Sequence, residues 1–419
     1  MKPEAASAAG GAPEIHPWLV AASVMLTTFM VVLDTSVANV AIPHIAGGLS
    51  AANEEAIWVL TSYLVSNAIV LPATGWISRI FGRKRFLIFC IALFTGASCL
   101  CGLAPTLGIL IFARVLQGAG GGAMQPISQA ILLESFPAER RGTAMAVFSL
   151  GVVVAPIVGP TLGGWITDTS SWRWIFLINL PIGAISLFMV QTFVFDPHHI
   201  RKHRVRVIDY WGLVFMVLWL ALLQIVLDKG QQEDWFSAPW ICVATGISAV
   251  GMVAFLVREA LTKHPIVDLR ILKDRNFSIG CALTAVTAVI LYGSTATLPL
   301  FLQVLMGYTA FLAGIALAPR GVGALIMSST LGRIVAKCDG RFLVAGGFLL
   351  LGLSTWWLSE IDLEVSYRNI ALPVFLTGMS ISLIFVPMTT MTIWTSTTIN
   401  KIFVYKIENT PSYASIDNR

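Results

Sequence analysis

The sequence predicts an all-α protein that crosses a lipid bilayer many times. Three observations carry that prediction. Of the 419 residues, 56% are hydrophobic and only 12% are charged, with a mean hydropathy of +0.80; a soluble domain carries about 25% charged residues. Apolar runs of about 20 residues, long enough to cross the hydrocarbon core as helices, recur along the chain. The basic residues gather in alternate gaps between those runs. Each spanning segment must be helical, because lipid offers no partner for free backbone N–H and C=O groups.

Residues 1–17 carry Lys2, Glu4 and Glu14 among Ala, Gly and Pro, and read as an N-terminal cytoplasmic segment. The first apolar run starts at Trp18. It is too long for the core of a signal peptide and has no clear small-residue cleavage site behind it, so it reads as an uncleaved span. Twelve spans follow at about 18–42, 55–77, 86–104, 107–132, 143–167, 174–195, 210–228, 238–257, 277–302, 310–334, 342–359 and 369–393. With the N-terminus in the cytoplasm, the inside loops hold eighteen Lys and Arg residues, and the outside loops hold three, Arg173, Lys229 and Arg368. That asymmetry supports both the orientation and the span count, since one missed span would scramble the alternation.

The connections divide the chain further. Residues 18–195 form an N-terminal six-helix bundle, and 210–257 hold two inserted helices. Between them, "DPHHIRKHRVRVID" (196–209) is a basic cytoplasmic linker. Its three His residues suggest a metal site, but no acidic or Cys cluster accompanies them, and a solvated linker is the better reading. Residues 258–276 are an amphipathic connector with a short surface helix. Residues 277–393 make an incomplete C-terminal bundle of four helices, and 394–419 a polar, atypical tail. A weak repeat relates "GWISRIFGRKR" (75–85) to "GRIVAKCDGR" (332–341). Repeated halves around a midplane site are a transporter pattern. A second half that mirrored the first would have six spans.

Several function classes drop out. No basic patch with interleaved aromatics stands outside the spans, which argues against nucleic acid. The six cysteines show neither a disulfide framework nor metal-ligand spacing, and five of them lie in apolar spans, where they read as small hydrophobes. No nucleophile–base or metal constellation marks an enzyme, and no cofactor is expected.

The chemistry lies in charges placed where they are costly. Asp34 sits inside "TTFMVVLDTSVANVAIPHI" (27–45). Acids within spans are rare and face a cavity or a partner. Desolvation favours the neutral form of a carboxyl, which suits reversible protonation or a cation site. The plainer reading is a packing contact with Thr27, Thr35 or Asn39. Arg114, in "ILIFARVLQGAGGGAMQP", lies about seven residues into the fourth span. A guanidinium keeps its proton and needs an acceptor or water. It either pairs with an acid or snorkels to the outer interface. Arg320, in "GIALAPRGVGAL", is about mid-span, flanked by Pro319 and Gly321, and is a coupling or a structural residue on equal grounds. Glu134, at the inner end of span four, reads as an interfacial partner of Arg140 or Arg141.

"GVVVAPIVGPTLGG" (151–164) places Gly151, Ala155, Gly159 and Gly163 four residues apart, a smooth ridge for close helix approach. Pro156 and Pro160 remove backbone donors and bend the helix. In "GWISRIFGRKR", Gly75, Arg79, Gly82, Arg83 and Lys84 mark a tight, glycine-bounded basic loop.

Taken together and in order, these stretches resemble the major facilitator superfamily, in particular its 14-span drug:proton antiporter branch of the EmrB/QacA type. "LDTSVANVAIPHI" resembles the branch's first-span motif, "RVLQGAGGG" its span-four motif and "GVVVAPIVGPTLGG" its span-five antiporter motif. "WRWIFLINLPIG" (172–183) looks like its entry to span six, and "LDKGQQEDWF" and "HPIVDLRILKDRNFSIG" like its connecting segments. The resemblance runs to about residue 391. It implies multidrug efflux of lipophilic or cationic compounds across the cell inner membrane, exchanged for protons by alternating access, with the proton gradient as energy source. Asp34 would be the proton or cationic-substrate site and Arg114 its tuning partner. The helix bearing Gly151, Pro156, Gly159, Pro160, Gly163 and Gly164 would lie at the sliding interface between halves. The first, fourth, ninth and twelfth spans would line the cavity. A periplasmic adaptor and an outer-membrane channel are implied partners. The chain departs from the pattern in two places: Arg79 stands where the loop motif usually has an acid, and the polar tail stands where the branch has two further spans, so a truncated product is expected. Against the exporter stand two other readings, a dedicated metabolite or sugar exporter and a truncated, non-transporting membrane protein.

Overall fold

A computed structural model describes residues 16–137, 140–195, 209–262, 265–267, 269–334, 339–362, 365 and 367–408. Those residues form helices and the turns between them, with no strand among them. The helices are α1 (Pro17–Gly48), the short α2 (Asn53–Ala56), α3 (Trp58–Phe81), α4 (Arg83–Leu103), α5 (Leu107–Ser135), α6 (Arg141–Thr169), the short α7 (Trp174–Leu177), α8 (Asn179–Phe193), α9 (Tyr210–Lys229), α10 (Pro239–Leu261), α11 (Arg275–Leu300), α12 (Ala310–Ile334), α13 (Gly340–Ser359) and α14 (Tyr367–Glu408). Among the described residues, 11 helical segments are long and apolar enough to cross a membrane. Helix α6, some of whose side chains lie outside the description, is 29 residues long and falls in order between two of them. This is an all-α polytopic membrane fold. Large apolar side chains such as Phe89, Phe112, Phe188, Leu349 and Trp356 are exposed on its outer surface, the arrangement expected of faces solvated by lipid rather than water.

Helices begin where a side-chain acceptor meets orphan backbone N–H groups: Thr106 on Ile109 at 3.4 Å, Asp209 on Gly212 at 3.0 Å, and Asp274 on Phe277 at 2.9 Å. Internal prolines at 43, 72, 126, 156, 160, 299, 319, 373 and 387 stay within helices, as neighbouring helices in a membrane allow.

Packing is pairwise. Helix α5 lies against α3 and α4, α1 lies against α6, α5 and α8, and α9 pairs with α10. Helix α6 contacts both α1 and α12, and α12 in turn contacts α14, which also lies against α13. Two apolar clusters fill the first half. One joins Val31 and residues before it on α1 to Phe86–Phe94 of α4, Met124–Leu132 of α5 and Phe136 just beyond it. The other joins Leu33–Ile45 of α1 to Cys101, Leu110, Ala113 and Phe176. Asp34, Arg114 and the polar groups around them occupy the seam where one cluster gives way to the other.

Two expectations change. The basic loop at 75–85 is mostly helical: α3 continues to Phe81, α4 starts at Arg83, and Gly82 alone turns the chain, at φ +85°. The apolar signal ends before the helix does, because a helix satisfies its own backbone even at the interface, and only Gly adopts that φ without strain. Likewise α14 runs on to Glu408 instead of ending near 393. The connector near 258–276 contains a 3₁₀ turn at Leu269–Lys273. The linker histidines, His198, His199 and His203, lie outside the described residues, as do 409–419 and most of the N-terminal segment.

Candidate functional site

Asp34 of α1 is 2% exposed and Arg114 of α5 is 1% exposed. Their side chains meet directly, Arg114 Nη1 donating to Asp34 Oδ2 at 2.6 Å. The contact is the carboxylate–guanidinium pairing that the sequence allowed, and it displaces the snorkelling alternative for Arg114. The contacts suggested for Asp34 with Thr27, Thr35 and Asn39 are not the ones formed. Thr27 bonds Ser23 O and Ser186, and Thr35 bonds Val31 and Val32 carbonyls. An isolated charge at this depth would cost several kcal/mol, roughly, so each ion needs the other and the remaining polar atoms need partners.

Three residues that the sequence reading did not single out supply those partners. Gln117, three residues after Arg114 and so on the same face of α5, donates through Nε2 to Asp34 Oδ1 at 2.9 Å and to Ser98 Oγ at 2.6 Å. Its Oε1 accepts from Arg114 at 2.8 Å and from the Cys101 thiol at 3.5 Å. Asn179, the first residue of α8, donates through Nδ2 to Asp34 Oδ1 at 2.6 Å and to Ser98 Oγ at 3.2 Å. All three, Ser98, Gln117 and Asn179, are fully buried. The signal that could have found them is the i, i+3 spacing of Gln117 from Arg114 and the lone Asn in "FLINLPIG". The guanidinium also lies over the rings of Phe176, at 4.6 Å, and Tyr63, at 5.4 Å, where cation–π attraction replaces part of its lost hydration. Helices α5 and α8 therefore converge on the carboxylate of α1, and Ser98 of α4 accepts from both of their amides.

Arg320 sits apart, in the second half. It is 8% exposed. Its guanidinium donates to Thr295 Oγ1 at 2.6 Å and Ser294 Oγ at 3.2 Å, both on α11. Among the described residues no carboxylate pairs with it, and its Nε has no hydrogen-bond partner. The structure does not bring Arg320 to Asp34 and Arg114.

Helix α6 connects the two halves. Its ridge faces α1: a Cβ added at Gly163 would come within 2.8 Å of Val37 Cγ1, one at Gly151 would meet Met25 at 2.5 Å, and one at Gly159 would strike Ser36. Ala155, on the same ridge, is fully buried. Gly164 points elsewhere, against the backbone of Ala310 and Phe311 at the start of α12. Gly314 of α12 returns the contact against Pro160 and Thr161. The stripe is thus split between two neighbours, with one face on α1 and another, bearing Pro160 and Gly164, on α12. Near the end of α6, Asp168 accepts from Phe311 N at 3.0 Å and lies 3.6 Å from His44 Nε2 of α1.

The basic segment after α3 also gains definite partners. Arg83 pairs with Glu134 of α5. Glu134 therefore bonds a residue far away in sequence, because Gly82 brings the start of α4 beside the end of α5; the Arg141 side chain lies outside the described residues. Lys84 donates to Gln191 O at 2.7 Å and lies over the Phe195 ring. A Cβ at Gly75 would meet nothing within 4 Å, and the Arg79 side chain lies outside the described residues.

Comparison with known proteins places these observations in context. A family model described as Major Facilitator Superfamily matches residues 24–396. The chain is 40% identical over 378 residues to the multidrug export protein EmrB of Haemophilus influenzae, covering 90% of this chain and 73% of that protein. It is 40% identical over 370 residues to EmrB of Escherichia coli strain K12, covering 88% and 72%. It is also 40% identical over 376 residues to the fatty acid resistance protein FarB of Neisseria gonorrhoeae, covering 88% and 73%.

Proposed function

The chain belongs to the Major Facilitator Superfamily, and from that premise we propose that it is a multidrug efflux transporter, exchanging lipophilic or cationic small molecules for protons by alternating access. The multidrug character follows relatives at 40% identity that carry the name multidrug export protein. Its place is the cytoplasmic (inner) membrane, with the N-terminus inside, as the basic-residue asymmetry of the loops supports. A periplasmic adaptor and an outer-membrane channel complete the export path in this reading.

The observation that carries the reading is the buried Asp34–Arg114 pair. The carboxylate is held by a fixed cation and two neutral amide donors in a site closed to water. Asp34 is the proton site, and Arg114 sets how tightly it holds the proton. Helix α6 carries the rearrangement across the midline, since its Pro160 and Gly164 lie against α12. Arg320 lies in the half that moves relative to Asp34 and takes part through cargo rather than through the proton.

The test is dye efflux driven by an imposed pH gradient in cells without other drug pumps, comparing the chain with Asp34→Asn. The expected result is loss of gradient-driven efflux at normal membrane insertion. Equal efflux from both would remove Asp34 from the coupling step. A second reading of the cargo, amphipathic anions, rests on the Arg320 guanidinium being held, among the described residues, by two hydroxyls rather than by a carboxylate. It is also the cargo that the name of the FarB relative suggests. Competition of dye efflux by a long-chain fatty acid, lost in Arg320→Gln, would favour it.

A further inference from the structure

Every hydrogen bond to Asp34 is arranged for its ionised form. Arg114, Gln117 and Asn179 all donate to it. This becomes a problem when the carboxylate takes up a proton, because the new O–H needs an acceptor in a site fully shielded from water. Arg114 carries no acceptor and keeps its charge, so its bond to Oδ2 stays, and the proton belongs on Oδ1. At Oδ1 the new hydrogen faces two amide N–H groups, one from Gln117 and one from Asn179.

The two amides are not equivalent. Gln117 is engaged at both ends: Oε1 accepts from Arg114 and Cys101, and Nε2 donates to Asp34 and Ser98. Turning it would break four contacts and set its N–H against the guanidinium. Asn179 is engaged at one end only. Its Nδ2 donates to Asp34 and Ser98, while its Oδ1 is buried with no partner among the described residues. A half turn about the Cβ–Cγ bond brings that orphan oxygen to Asp34. Ser98 accepts from both amides, and among the described residues its own hydroxyl proton has no acceptor. The turned Oδ1 provides one.

We propose that Asn179 reads the protonation state of Asp34 by reversing its side-chain amide, donating to the carboxylate and accepting from the carboxyl. The proton stays on Asp34 Oδ1, and no bond is made or broken at Asn179; only the polarity of the hydrogen bond reverses. Asn179 is a positioning residue. It couples the state of α1 to the first turn of α8, while Gln117 holds Arg114 in place in both states. The other titratable or charged groups facing Asp34 are Arg114 on α5, Cys101 on α4 and Tyr63 on α3. The facing segments of α6, α7 and α8 contain none.

The proposal rests on Asp34 being the proton site, and infrared difference spectroscopy of the full chain in lipid separates the two ideas. Spectra are recorded between high and low pH for the native chain, with and without isotope-labelled asparagine, and for Asp34→Asn, Asn179→Leu and Asn179→Ser. The expected native spectrum gains a carboxyl C=O band on acidification, absent in Asp34→Asn, together with an isotope-sensitive asparagine amide band. In Asn179→Leu the carboxyl band moves to higher frequency, as for an O–H without an acceptor, and the amide band is lost. In Asn179→Ser, whose hydroxyl can donate or accept, the carboxyl band returns toward its native position. A native carboxyl band that keeps its frequency in Asn179→Leu, with no asparagine band, would overturn the amide reversal while leaving Asp34 as the proton site. Absence of any carboxyl band distinguishing the native chain from Asp34→Asn would overturn both. If Asn179→Leu does not fold, the asparagine band of the native chain, present or absent relative to Asp34→Asn, still decides.

Discussion

Replacing Arg114 by Gln removes the only cation within ion-pair distance of Asp34 among the described residues. The two side chains are each 1% exposed with their atoms 2.6 Å apart, so solvent screening is slight. Breaking a buried pair by removing one partner costs about 3–5 kcal/mol, because the other charge is left uncompensated. A direct Coulomb figure for unit charges centred about 4 Å apart, at an effective dielectric constant of about 20, comes to roughly 4 kcal/mol. Asp34→Asn should cost a similar amount, since it strands the guanidinium. The double variant Asp34→Asn/Arg114→Gln strands nothing and leaves two amides able to bond one another. Its destabilisation should therefore fall short of the sum of the singles by about 3 kcal/mol, a coupling well above the roughly 0.5 kcal/mol within which independent sites add. The assay is denaturing-detergent unfolding of all four proteins in bicelles, followed by circular dichroism. Additive singles would refute the reasoning: the pair would then carry no net energy, and its place at the seam between the two apolar clusters would need another cause.

Other expectations follow from the same geometry. Gly164→Leu should abolish efflux by roughly tenfold or more while the first half still inserts, because the Ala310 and Phe311 backbone leaves no room for a side chain; unchanged transport would show that α6 and α12 need not approach so closely. Arg83→Gln should cost no more than about 1 kcal/mol and less at high salt, since Arg83 and Glu134 are 27% and 33% exposed, which unfolding at two ionic strengths would reveal. A membrane-impermeant thiol reagent added outside intact cells should label Lys229→Cys and not Arg270→Cys; the reverse pattern would invert the assigned orientation.

How much of this could be read from residues alone differs from one group to the next. Asp34 and Arg114 were visible because a charge inside an apolar helix is expensive and must be matched. That cost marks the residue but not its partner, and Glu134 illustrates the gap. Its nearest cations in sequence are Arg140 and Arg141, yet it pairs with Arg83 across a turn that Gly82 makes possible. Ser98, Gln117 and Asn179 escaped notice because a neutral polar side chain in a span costs little by itself. Their importance comes from Gln117 and Asn179 each lying within 3.2 Å of both Asp34 and Ser98. The split of the glycine stripe between α1 and α12 was hidden for a similar reason. Four-residue spacing defines a face of a helix but does not say which neighbour lies on it.

The sequence by itself determined that the chain is a stack of membrane helices, which ends of those helices are basic, and which residues carry charge into the apolar interior. Hydropathy and charge are properties of residues one at a time, and lipid leaves the backbone little choice beyond a helix. Only the tertiary structure decided that Asp34 is held by Arg114 together with two amides from separate helices, and that Arg320 donates to hydroxyls of α11 away from them. Hydrogen bonds depend on distances of about 3 Å, and those distances are set by how the helices pack.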